Sequence, residues 1–107
     1  VLKNIYAFEV FLLKKFDICL NETMVLCMLE PGTERSTKLA QMLGVTYSLM
    51  SRTLTSLEKK GLVNRKIGET DKREMYFTLT KNGRDLLTKI VEEYDFREFV
   101  KACKKVG

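Results

Sequence analysis

The chain contains no histidine, one proline and three cysteines in 107 residues. Without histidine, the commonest general base and the commonest zinc ligand are both missing. Cys19, Cys27 and Cys103 are an odd number with no short pairing motif. That argues against a disulfide framework and fits a reducing cytoplasm. No Cys or carboxylate cluster has metal-ligand spacing, so neither metal nor cofactor is expected. No nucleophile–base pair is visible, so the chain does not read as an enzyme. No run approaches the roughly 18 apolar residues of a membrane span. The start, VLKNIYAFEVFLLKKF, alternates charge with apolar groups at helical spacing and lacks a small-residue cleavage site, so no signal peptide is expected. The missing initial Met reads as processing or trimming of the start.

Charge, by contrast, is abundant and local. Nine cations (Arg52, Lys59, Lys60, Arg65, Lys66, Lys72, Arg73, Lys81 and Arg84) face four acids (Glu58, Glu69, Asp71 and Glu74) in one segment. That segment holds the entire net charge of +5, since the rest of the chain is balanced. A concentrated positive patch points to a polyanion partner, because neutralising phosphates releases condensed counterions.

The chain reads as one domain of five helices and one hairpin. Leu2, Ile5, Phe8, Leu12 and Phe16 space out a first amphipathic helix. Residues 17–20 link it to a second helix, with Asn21 as the expected N-cap and Met24, Val25, Met28 and Leu29 as its buried stripe. Pro31-Gly32 ends that helix. A short helix capped near Ser36 carries Leu39, Ala40 and Leu43, and Gly44 supplies a left-handed C-terminal residue.

Thr46 is expected to cap the next helix, which runs to about Lys60. Val45, Met50, Leu54 and Leu57 face inward; Tyr47, Ser48, Ser51, Arg52, Thr55 and Ser56 form the opposite face. Solvated helix faces favour Glu, Lys and Gln. A face of short hydroxyl side chains costs helix stability, and contact with phosphates and base edges is the natural reason to keep one. After Gly61, residues 62–67 and 74–79 alternate apolar and polar around the polar loop 68–73, which marks a β-hairpin with a charged tip. A helix–turn–helix followed by such a hairpin is the winged-helix arrangement: the second helix enters the major groove and the wing reaches an adjacent minor groove or backbone.

These residues carry a resemblance. Leu39-Ala40, Leu43-Gly44-Val45 with the Ser/Thr-rich helix after it, and Leu57-Glu58-Lys59-Lys60-Gly61-Leu62-Val63 resemble the MarR family of bacterial transcriptional regulators. So do Arg65, Asp71, Arg73 and the Leu79-Thr80-x-x-Gly83 that opens the following helix. The fold class implied is mainly α with a small β-hairpin wing. Residues 1–20 and 81–107 are expected to be dimerisation helices, and 21–80 a DNA-binding core with its wing at about 62–79. The resemblance implies a ligand-responsive repressor acting as a homodimer on a near-palindromic double-stranded operator. Tyr47, Ser48, Ser51, Arg52 and Thr55 match the family's reading positions. Ser36 and Thr46, at helix starts, are expected to offer backbone N–H groups to phosphates. Arg65, Lys72 and Arg73 supply charge on the wing, with Asp71 shaping its turn.

A partner copy is also expected from the apolar stripes. Leu86, Leu87, Ile90, Val91 and Tyr94, then Phe96, Phe99 and Val100, are hard for one small chain to bury together with the first helix. Ile5, Phe8, Leu12, Leu87, Ile90, Val91, Tyr94 and Phe99 are therefore the expected dimer contacts, and Asp95 with Glu98 marks a capping box for a separate short helix. In the family, small aromatic effectors sit between the dimer helices and the reading domain, where Tyr6, Phe8, Phe11 and Phe16 offer an aromatic lining. Some family members sense oxidants through one cysteine. Cys19 lies where such a thiol would act, although an isolated cysteine is more often a small buried hydrophobe. The alternatives are a SarA-like DNA-binding regulator without a small effector, and a winged-helix protein–protein module. The latter usually lacks both the basic wing and the hydroxyl-rich face.

Overall fold

The computed structural model describes residues 2–67 and 74–93, with side chains from residue 6 onward. Five helices and three short strands follow one another as α1 (Leu2–Phe16), α2 (Leu20–Leu29), β1 (Glu34–Arg35), α3 (Ser36–Leu43), α4 (Tyr47–Lys59), β2 (Val63–Ile67), β3 (Met75–Leu79) and α5 (Lys81–Glu93). The expected helix–turn–helix and wing are present: mainly α, with a small antiparallel sheet.

The sheet has one strand more than the expected hairpin. Its order is β1-β3-β2, with β2 and β3 in register from Val63↔Leu79 to Ile67↔Met75. The two-residue β1 adds to the other side of β3 through Glu34↔Phe77 and Arg35↔Tyr76. Two residues carry no periodicity, so β1 exists only because β3 offers it an edge.

One core serves the whole arrangement. Phe8, Leu12, Ile18, Leu26, Leu29, Leu39, Met50, Leu54, Leu57, Val63, Phe77 and Ile90 are all essentially sealed from solvent. They come from every helix and from two strands of the sheet, so the reading helix and the flanking helices share it. Four of the expected dimer contacts lie in this core. Phe8, Leu12, Leu87 and Ile90 are buried against their own chain. The reason is that α5 returns across α2, giving the two stripes a cover within one molecule. Of the expected contacts whose side chains are described, only Val91 is exposed, at 52%. Tyr94, Phe99, the Asp95–Glu98 cap and Cys103 lie outside the described residues, as do Asp71, Lys72 and Arg73, and the side chain of Ile5 is not described.

Caps fix where helices begin. The N-cap of α2 is Cys19 rather than Asn21, and Glu22 reaches back to accept the Cys19 N–H at 3.0 Å. Ser36 is the first helical residue of α3 and is buried; Arg35 takes the cap position. Thr46 caps α4, accepting the Leu49 N–H at 3.1 Å. Thr80 caps α5, accepting the Gly83 N–H at 3.0 Å while its own hydroxyl donates to the Gly61 carbonyl at 2.7 Å. Gly44 ends α3 at φ 74°, a left-handed conformation that glycine adopts without penalty. Gly83 is required for a different reason: a Cβ there would run into the Leu62 carbonyl oxygen. The close approach seats α5 on the turn that leads into the wing.

Candidate nucleic-acid interface

The hydroxyl-rich helix divides its side chains between two tasks. Tyr47, Ser48, Ser51 and Arg52 are exposed, Tyr47 at 53%. Among the described residues no carboxylate pairs with Arg52, so its donors face solvent. Thr55 is half-buried and donates to the Ser51 carbonyl at 2.9 Å, keeping only acceptor capacity for a partner. Thr53 is buried and bonds back to the Leu49 carbonyl in the same way. Ser56, expected on the outer face, is half-buried at its edge and donates to Glu22 at 2.8 Å. Part of the hydroxyl content is thus structural, and the outward set is concentrated in the first half of α4.

Around that set the fold gathers further groups. Ser51, Arg52, Thr55, Ser56 and Lys59 line an open hollow of about 290 Å3 along one side of the helix. On the other side, Ser36, Tyr47, Ser51 and Arg65 share a cleft of about 30 Å3 between α3, α4 and the wing. Arg65 is held rather than loose: Nη2 pairs with Glu58 at 3.1 Å, and the guanidinium lies 5.4 Å from the centre of the Phe77 ring. Flanked by an acid and an aromatic face, the cation stays on β2 beside the exposed half of α4. Ser36 contributes its position at the start of α3, since its side chain is buried. Glu58 and Phe77 were not singled out in the sequence. An acid seven residues before an arginine across a turn is a weak signal without a strand register to align them.

A second polar cluster lies behind the interface. Glu22 is 5% exposed and accepts from Cys19 N–H, Ser56 Oγ and Lys60 Nζ. Burial pushes its carboxyl upward, but these hydrogen bonds outweigh burial and hold it below the ordinary glutamate value. Lys60 thus spends part of its donor capacity on Glu22, although the residue itself remains exposed at the end of α4. Sequence reading missed this cluster because its members stand 34 and 38 residues apart.

Of the two described thiols, Cys19 is exposed and Cys27 half-buried, and neither is shifted toward its thiolate. Burial, together with neighbouring Glu22, pushes the Cys19 thiol up, and burial does the same at Cys27 beside Glu30. A raised thiol carries little of the thiolate that reacts with oxidants. Of the four aromatics expected as a lining, Phe8 is sealed in the core, Phe11 and Phe16 meet edge to face at 5.7 Å, and Tyr6 is 67% exposed. A hollow of about 220 Å3 instead lies between α2 and α5, lined by Thr23, Cys27, Glu30, Leu87, Ile90 and Val91. Among the described residues no group of His, Cys, Asp and Glu side chains is placed to hold a metal, and no helix is long and apolar enough to cross a membrane.

Comparison with known proteins agrees with this geometry. The model of the MarR family matches residues 20–75, more than half of the chain. The transcriptional regulator PetP of Rhodobacter capsulatus is 40% identical over 63 residues, 59% of this chain and 37% of that protein. The uncharacterised regulator YdcH of Bacillus subtilis is 37% identical over 71 residues, 64% of this chain and 48% of that protein. The chain thus spans less than half the length of these curated relatives, both of which are named as helix-turn-helix transcriptional regulators and not as enzymes. Among solved structures, the transcriptional regulator BldR of Sulfolobus solfataricus superposes with a TM-score of 0.82 at 26% identity, covering 94% of this chain and 71% of that one. A mutant MarR of E. coli complexed with operator DNA gives 0.78 at 25% identity, covering 85% of this chain and 65% of that one. With the helix–turn–helix, the wing and the family match in agreement, the chain belongs to the MarR family.

Proposed function

We propose that this chain binds duplex DNA sequence-specifically and regulates transcription, acting as a homodimer on a near-palindromic operator. The N-terminal half of α4 enters the major groove, and the β2–β3 wing lies on the adjacent minor groove or backbone. The observation that carries this reading is the grouping of Tyr47, Ser48, Ser51 and Arg52 on one exposed helix face, with Arg65 fixed beside it. Short hydroxyl groups and an unpaired arginine suit a surface that closes on phosphates and base edges. Arg52 is assigned to a guanine or a phosphate, the start of α4 at Thr46 and of α3 at Ser36 to backbone phosphates, and Arg65, Lys72 and Arg73 to the flanking backbone.

The dimer is supported by exposed apolar groups on the flanking helices. Tyr6 and Leu13 stand two turns apart on α1, Val91 is exposed on α5, and Lys15 pairs with Glu93 at 3.1 Å, joining the ends of those helices. Repression, and its release by a small ligand, follow from the family rather than from this chain's geometry.

Selection of bound sequences from random duplex DNA tests the reading. The expected product is a two-fold symmetric site with half-sites about one helical turn apart. Affinity is expected to fall steeply with salt; an affinity indifferent to salt, with no enriched sequence, would overturn the proposal.

A further inference from the structure

Two side chains one turn apart at the C-terminal end of α4 reach the same buried carboxylate. Ser56 Oγ donates to Glu22 Oε2 at 2.8 Å, and Lys60 Nζ donates to Oε1 at 3.0 Å. Oε1 also accepts the Cys19 N–H at 3.0 Å. Lys60 Nζ donates in addition to the Asp17 carbonyl at 2.7 Å. Asp17 is the one non-glycine residue at positive φ among the described residues, at 54°. The link between α1 and α2 is thus bent into a sparsely populated conformation at the point where its carbonyl meets Lys60. A carboxylate sealed from water requires donors on its oxygens. Here they come from that link and from α4, so the requirement also joins the two segments.

We infer that Glu22 is a positioning residue: with Lys60 it fixes the C-terminal end of α4 to the α1–α2 link and so sets the tilt at which Ser48, Ser51 and Arg52 meet a duplex. The inference rests on the DNA-binding reading above. Leverage makes the tie consequential. Ser48 lies two turns from Ser56, about 12 Å along the helix at about 1.5 Å per residue. A tilt of about 10° about the fixed end carries Ser48 by about 2 Å, beyond what a hydrogen bond tolerates. The sequence-reading end therefore depends on a contact that touches no DNA. The link is also where α1 joins, so a displacement of α1 reaches Lys60 directly through the Asp17 carbonyl.

The charge of Glu22 supplies a sign that separates positioning from simple electrostatics. Glu22→Gln removes a negative charge behind the interface and frees Lys60, which by electrostatics alone would hold or tighten binding to any duplex. Positioning demands the opposite on the selected site. The experiment measures binding of the full chain and of its Glu22→Gln, Lys60→Met and Lys60→Arg variants to the selected duplex and to a random one, with a thermal unfolding curve for each. Glu22→Gln and Lys60→Met are expected to weaken the selected duplex about tenfold while changing the random duplex by less than about twofold. Lys60→Arg, which can still pair, is expected to retain selectivity. Lys60→Met leaves the Cys19 and Ser56 bonds to Glu22 in place, so it provides the reading if Glu22→Gln fails to fold. Equal losses on both duplexes, or none on either, would overturn the positioning role while leaving DNA binding intact. A wild-type chain that selects no sequence would overturn the DNA-binding reading and this inference with it.

Discussion

The two ends of α4 are built from similar residues and put to different use. At the N-terminal end, Thr46 supplies one cap bond, and beyond it Tyr47, Ser48, Ser51 and Arg52 are open to solvent. At the C-terminal end, Ser56 and Lys60 are tied to Glu22 and Asp17, and the chain runs through Gly61 and Leu62 into contacts with Thr80 and Gly83. Serine and threonine serve both ends. Outward they are short donors for a partner; inward they satisfy a buried acid or the helix's own carbonyls. The fixed end provides orientation, and the open end provides recognition.

Four perturbations test that division, beginning with the largest. Gly83→Ala attacks the fixed end, because the added methyl meets the Leu62 carbonyl that also accepts the Thr80 N–H at 3.1 Å. The expected loss is about 3 kcal/mol of stability in urea unfolding, as for overpacking against backbone that cannot give way. An unchanged midpoint would show that α5 does not seat on this turn. Arg52→Ala attacks the open end. It is expected to cost about 2 kcal/mol of affinity for the selected duplex while leaving the unfolding midpoint where it was. Equal loss on random DNA would reassign Arg52 to a phosphate.

Thr46→Ala removes the cap on which the open end begins. About 1 kcal/mol of stability should disappear, read as a shift in the urea midpoint. The smallest effect concerns pH. Because the Glu22 carboxyl is held below its ordinary value, its contribution to stability is complete above the unfolded-state pKa and is lost as pH falls through the depressed folded-state value. Unfolding midpoints followed down an acid titration should therefore decline less steeply for Glu22→Gln than for the parent chain, with parallel profiles at neutral and alkaline pH. Identical acid limbs would mean that Glu22 is not held below its ordinary value.

Much of this could be read in the one-dimensional pattern. The spacing of Met50, Leu54 and Leu57 placed the inner face of α4, and Gly44, Thr46, Gly61 and Thr80 marked its neighbours' limits, because caps and turns depend on residues only a few positions apart. The pairing of residues 62–67 with 74–79 was legible for the same reason. β1 was not, since its only cause is the free edge of β3. The cap of α2 at Cys19 was misplaced because cysteine is not an ordinary capping residue and Glu22 completes the turn from the far side.

The candidate site was legible in part. Tyr47, Ser48, Ser51 and Arg52 do share an exposed face, yet Ser56 does not belong with them, and helical periodicity alone does not show that Glu22 waits on the inner side. Likewise the spacing of the α1 and α5 stripes does not say how much of them the chain covers itself. Phe8, Leu12, Leu87 and Ile90 find cover within the chain, while Tyr6, Leu13 and Val91 are the large apolar side chains exposed among the described residues of those helices.

By itself, then, the sequence determined the helices, the wing hairpin, the family and the location of the positive charge, all of which depend on local spacing or on composition. Tertiary structure alone decided which hydroxyl groups face outward, which cations have an acidic partner and how the reading helix is held. Those outcomes turn on contacts between residues such as Glu22 and Lys60, or Arg65 and Phe77, that only the folded chain brings within bonding distance.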